Sequence, residues 1–264
     1  MLSVKRTTAL ARAEWLQFRR NKTIMFMSLI FPVGMSIATW FLMGTDDSTD
    51  KQILGGMTIQ MYMFLGLFMV LFYSMLSMVT TRRDEGVLKR LRTGEARDMD
   101  ILTAIGIPGT IVVTALLIVV VGFLMVMGSV PVNPLLVVAA LVGGVLIFAA
   151  LAYLTASFTK NAEAAQMTSM PVMILTSVSL DNIRAMLPDR IQELIEDNPV
   201  ASVYDLTILG WVGKDTADLR EVTTPMSFTD TFDAAGMPLV KIVVWFALMA
   251  WMVYVMMRWD THRG

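Results

Sequence analysis

Long uninterrupted apolar runs constrain this 264-residue chain more than any other feature. A helix needs about 20 apolar residues to cross a hydrocarbon core of about 30 Å. Backbone groups in that medium must be satisfied within the segment, so such runs read as helices. The runs cover 24–44, 57–80, 101–128, 135–158 and 237–257, with a weaker segment at 164–180. Composition agrees: 56% of residues are hydrophobic and 16% charged, where a soluble domain carries roughly 25% charged. The sequence therefore predicts an all-α integral membrane protein, one domain over 1–264, with six transmembrane helices.

The run at 24–44 has a basic flank but no small-residue cleavage pattern before Asp46-Asp47, so it reads as a retained helix and not a signal peptide. Orientation follows from basic residues in short loops. Lys5, Arg6, Arg12, Arg19, Arg20 and Lys22 precede the first run, and Arg82, Arg83, Lys89, Arg90, Arg92 and Arg97 follow the second. Arg258 and Arg263 lie in the tail, while the first outer loop carries Asp46, Asp47 and Asp50. With six spans every basic cluster falls on one side, and both termini are expected in the cytoplasm. Over Ser3 to Arg20, the residues Val4, Ala11, Trp15 and Phe18 share a face at helical spacing. The stretch 1–22 is expected to be an interfacial helix lying in the headgroup plane; a basic flank that only sets topology is the plainer reading.

Several chemistries are excluded. There is no cysteine, and the lone His262 sits near the end, so thiolate metal sites and His-based dyads are out. Spans one to four hold no charged residue in their interiors, which counts against ion-coupled carriers and intramembrane enzymes. A phosphate-cradling loop needs Gly-x-x-x-x-Gly-Lys-Ser/Thr. The Gly213-Lys214-Asp215 run, with Gly210 before it, has the wrong spacing and ending. No catalytic residue, metal site or nucleic-acid partner is expected.

The loop 82–97 carries an apolar patch of Val87, Leu88 and Leu91, and Glu85 and Lys89 at i, i+4 in the favourable order. It reads as a short amphipathic helix whose charged face meets anionic lipid or whose patch docks a soluble partner. In the second span Met61, Phe64, Phe68, Phe72 and Met75 form one stripe. A soft aromatic and methionine wall suits bulky lipophilic substrates; the plainer alternative is packing against lipid or a neighbouring helix. Gly143, Gly144, Ala149, Ala150 and Ala152 in the fourth span allow close helix packing. Lys241, near the outer end of the last span, is expected to snorkel. The acidic segment 181–236 is placed outside the cell. Its part 199–236 reads as a solvated loop with local packing, and its other readings are a cap over an exit or a contact for an outside partner.

The run Glu85-Gly86-Val87-Leu88-Lys89-Arg90-Leu91 resembles the signature after the second helix of ABC-2 type permeases, membrane subunits of bacterial ABC exporters. Val87 stands where Thr is usual, and Gly94 where Pro often follows. Lys160 to Gln166, continuing to Met170-Pro171, is similar to that family's cytoplasmic turn and proline-containing fifth helix. Leu187-Pro188 and Asn198-Pro199 resemble its external helical hairpin, while Thr176-Ser177-Val178 departs from its Leu-Ser-Gly. Arg19-Arg20-Asn21-Lys22 leading to Phe31-Pro32 also fits, so the resemblance runs nearly the length of the chain.

The resemblance implies a permease that pairs with a second copy in a bacterial cytoplasmic membrane. Each copy docks an ATPase subunit through the interfacial helix, with Trp15, and the coupling helix at 82–97. Glu85, Gly86, Leu88 and Leu91, with Arg82, would form the coupling surface, the leucines filling the partner's groove. ATP and Mg would be bound by that partner. The branch it is similar to exports drugs and antibiotics, implying a hydrophobic or amphipathic cargo moved outward. An ATP-independent channel or carrier, or a membrane sensor or anchor on the same fold, is the alternative.

Overall fold

A computed structural model describes residues 8, 11–12, 15–16, 22–44, 50–93, 97–216, 219 and 224–257. Among the described residues ten helices have defined bounds and there is no strand. They are α1 (Lys22–Met43), α2 (Lys51–Asp84), α3 (Val87–Thr93), α4 (Asp98–Val126), α5 (Pro134–Phe158), α6 (Ala164–Val178), α7 (Asp181–Arg184), α8 (Asp189–Glu196), α9 (Pro199–Val212) and α10 (Asp230–Met256). Four are long and apolar enough to cross a membrane: α2, α4, α5 and α10. Ser28–Met43 in α1 and all of α9 are shorter apolar helices. With 15 residues, α6 is only about 22 Å long at 1.5 Å per residue.

Local signals set the helix starts. Asp50 accepts from the Gln52 amide ahead of α2. Asn133 caps α5, accepting from Leu135 and Leu136, with Pro134 opening the helix. Asn198 and Pro199 do the same for α9, where Asn198 accepts from Val200 and Ala201. Side-chain acceptors satisfy amides that have no partner in the first turn, and proline tolerates the first position because it has no N–H. The Leu187-Pro188 and Asn198-Pro199 marks thus become the starts of two successive helices.

Within α2 the stretch Gly66–Tyr73 is π-helical. Its i→i+5 bonding brings residues four apart closer to register. Phe68 and Phe72 stack at 5.3 Å between ring centres, and Phe64 and Phe68 at 6.4 Å.

The centre of the fold is α9, and here the expectation of a solvated connector over 199–236 is corrected. Every residue of α9 is buried except Asp205, which is partly so. The helix packs against α5, α10 and α2. Close approach is permitted by Gly210, where an added Cβ would lie 2.9 Å from the Val137 amide nitrogen and 3.1 Å from the Asn133 carbonyl. The Asn133 and Val132 amides donate to the Gly210 and Trp211 carbonyls, so the α4–α5 turn is bonded to the end of α9. Gly213, at φ +72°, ends the helix in the left-handed conformation that favours glycine.

Lys241 finds a partner at its end of α10. Its ammonium lies 2.8 Å from Asp197 Oδ1 and donates to the Glu196 carbonyl at 3.0 Å. Trp245 Nε1 donates to the Asp197 carbonyl at 2.7 Å, so α10 holds the end of α8.

Candidate coupling site

The expected interfacial helix at 1–22 falls mostly outside the described residues. Thr8, Ala11, Arg12, Trp15 and Leu16 are helical. Ala11 is buried, whereas Trp15 and Leu16 are 36% and 51% exposed. Residues 94–96 of the expected coupling segment are likewise outside the described set.

The described part of 82–97 is a tight corner between α2 and α3. Thr81 accepts the Glu85 amide and Arg83 the Gly86 amide. Gly86 then takes φ +67°, a conformation costly to any residue with a Cβ. Among the described residues no atom beyond its chain neighbours lies within 4 Å of where that Cβ would be, so backbone conformation is what favours glycine there. Arg90 reaches back over the corner, its Nη2 donating to the Glu85 carbonyl at 2.8 Å.

Two neighbours that sequence reasoning did not single out for coupling tie the corner to the rest of the molecule. Arg83 is 3% exposed. Its guanidinium donates to the Ala156 carbonyl at 2.8 Å, to the Thr159 carbonyl, and to the Lys160 carbonyl at 3.4 Å. These carbonyls belong to the end of α5, where the last turn lacks intrahelical donors and the helix dipole favours a cation. Asp84 Oδ2 accepts the Ala162 amide at 3.0 Å in the α5–α6 turn. A displacement of the corner therefore pulls on the end of α5 and the start of α6. No local signal could have found this, because the partners are more than seventy positions away.

The expected coupling residues divide by exposure. Glu85 is exposed, Gly86 and Leu91 are intermediate, Arg82 is 9% exposed and Leu88 is fully buried. Leu88 belongs to this chain's own core, and Leu91 packs against it. As placed, Leu88 pins α3 to its own chain; the face open to another protein is that of Glu85 and Arg90. The Lys89 side chain, expected to pair with Glu85, is outside the described residues.

The stripe in α2 is mostly internal. Phe72 and Met75 are fully buried, Phe68 is 6% exposed, and Met61 and Phe64 are half-buried. Gly144 of α5 accommodates Leu67 beside it, 2.5 Å from where a Cβ would sit. Among the described residues no group of three or more His, Cys, Asp or Glu could hold a metal ion.

Residues 5–195 match the model of the ABC-2 type transporter family. The chain belongs to that family. The match covers the coupling corner, α2, and the helices up to α8, and stops short of α9 and α10. Comparison with curated proteins finds no match. An ABC-2 domain is a membrane transport component, not itself an ATPase, and the family works with ABC ATPase subunits. Membership and the four long apolar helices make this a multi-pass membrane protein of the ABC transporter class.

Proposed function

We propose that this chain is the permease subunit of an ABC exporter that moves a hydrophobic or amphipathic compound, drug-, antibiotic- or lipid-like, out of a bacterial cell. A separate ATPase, binding ATP and Mg, docks on the exposed side of the Glu85–Gly86 corner and on the helix carrying Trp15. The observation that carries this reading is the bracing of the corner by Arg83 and Asp84 onto α5 and α6. A push delivered at the corner is passed to the bundle and not lost in a flexible loop. On this reading α1 and α6 join the four long helices as spans, and the basic clusters and both termini face the cytoplasm. Two copies enclose the pathway, and the Met61, Phe64, Phe68, Phe72 and Met75 stripe shapes its wall from behind or within.

The test is purification of tagged protein in mild detergent from cells that express its genomic neighbours. The expected result is a stoichiometric Walker-type ATPase whose retention falls on Glu85→Lys, with the permease still folded. A chain that purifies alone under several mild conditions would sink the reading.

A further inference from the structure

A second cluster of polar side chains lies where α7 meets α9 and α2, apart from the coupling corner. From α7 come Asp181 and Arg184, from α9 Tyr204 and Asp205, and from α2 Gln60. Arg184 is 5% exposed. Its Nη2 donates to Asp205 Oδ1 at 2.6 Å and to Asp181 Oδ1 at 3.0 Å, and its Nη1 to Asp205 Oδ2 at 3.4 Å. The guanidinium is thus forked onto Asp205, the stronger of the two pairings. Asp205 also accepts from Thr216 Oγ1 at 3.2 Å, and Glu196 on α8 acts on Arg184 through space.

Three buried atoms of the cluster have no hydrogen-bond partner among the described residues: Asp181 Oδ2, Gln60 Nε2 and the Tyr204 hydroxyl. Gln60 is 4% exposed and Tyr204 fully buried. The Gln60 side chain lies beside the Asp181 carboxylate and favours its charged form, and the Asp181 charge acts on Tyr204 through space. Two carboxylates share the Arg184 guanidinium, which binds Asp205 more closely than Asp181. A carboxylate in that position is neutralised by binding a proton.

We propose that Asp181 is a proton-binding site. A proton arriving from solvent on Oδ2 turns that acceptor into a donor beside Gln60, while Arg184 stays neutralised by Asp205. Gln60 receives that bond on its amide oxygen, since amide orientation is interchangeable at no cost in shape. Protonation thereby adds a link between α7 and its neighbours. Burial first, and then the Asp205 charge, push the Asp181 carboxyl up to about 7 against the pull of Arg184 and Gln60.

The experiment is infrared difference spectroscopy of the full chain in nanodiscs, stepped from mildly alkaline to mildly acidic pH. The carbonyl stretch of a protonated carboxyl is expected to grow through neutrality and to be missing in Asp181→Asn. Asp205→Asn frees Arg184 to pair with Asp181 and moves the midpoint to lower pH. That second variant keeps the proposal testable if Asp181→Asn does not fold. No carboxyl signal near neutrality, the same signal in Asp181→Asn, or an unmoved midpoint in Asp205→Asn would each overturn it. The readout needs neither ATPase nor cargo, so it stands or falls apart from the exporter reading.

Discussion

Gly55 and Gly86 each resist a larger residue, for opposite reasons. A Cβ on Gly55 would lie 2.1 Å from Ser129 Oγ and 2.5 Å from Trp211 Nε1, atoms that bond each other at 2.9 Å. Gly55→Ala is expected to break that bond and lower stability by about 1–3 kcal/mol, as overpacking does, seen as a lowered unfolding temperature. Gly86 has open space but a left-handed backbone. Gly86→Ala is expected to keep the fold at a cost of about 1–2 kcal/mol and to lower the ratio of transport to ATP hydrolysis. Asp181 carries a pH prediction. Its folded pKa, about 7, lies above the ordinary 3.8, so between those values the folded state holds a proton that the unfolded state has released. Stability relative to Asp181→Asn is therefore full below about pH 4, falls as pH rises towards 7, and is level above. Unfolding temperatures of the two proteins across that window check the sign.

Helices show which sequence marks were readable. The Leu187-Pro188 and Asn198-Pro199 pairs were legible as marks of a helical hairpin, and in the structure α8 and α9 begin there. What such marks could not reveal is that α9 is the buried axis of the fold. Its 14 residues are too few to register as a span, and the polar stretch after Gly213 dilutes its hydropathy. Asn198 joins both roles, capping α9 and donating from Nδ2 to Ser179 Oγ at 2.9 Å. Asn198→Ala is expected to lower stability by about 0.5–2 kcal/mol, with Asn198→Asp recovering most of the capping part; thermal unfolding in detergent measures both. The corner at Glu85–Gly86 was legible as a motif, but its bracing was not, because Arg83 reads in sequence as one more topology-setting charge.

Across the whole molecule, burial sorts the long helices. In α2, 67% of the apolar window is buried inside the chain, against 33% in α4 and 17% in α10. Thus α2 is a core helix, while α4 and α10 present their apolar faces outward, to lipid or to another chain. The Phe stripe follows from that position. Phe72→Ala removes a fully buried ring and is expected to cost about 3–5 kcal/mol, with export falling equally for every cargo. Met61 and Phe64, half-buried, are the positions where Ala substitutions are expected to change which compounds are exported. Transport assays with chemically unlike cargoes separate the two outcomes.

Hydropathy and short motifs by themselves determined the all-helical membrane class and the family, because these depend on local composition and spacing along one chain. Tertiary structure alone decided that α9 is central, that Leu88 serves its own core, and that Arg83 binds the end of α5. It also decided that Arg184 is shared unequally between Asp181 and Asp205. Each of these is settled by contacts between residues distant in sequence, where burial and the number of available hydrogen-bond partners, and not local propensity, fix which pairing wins.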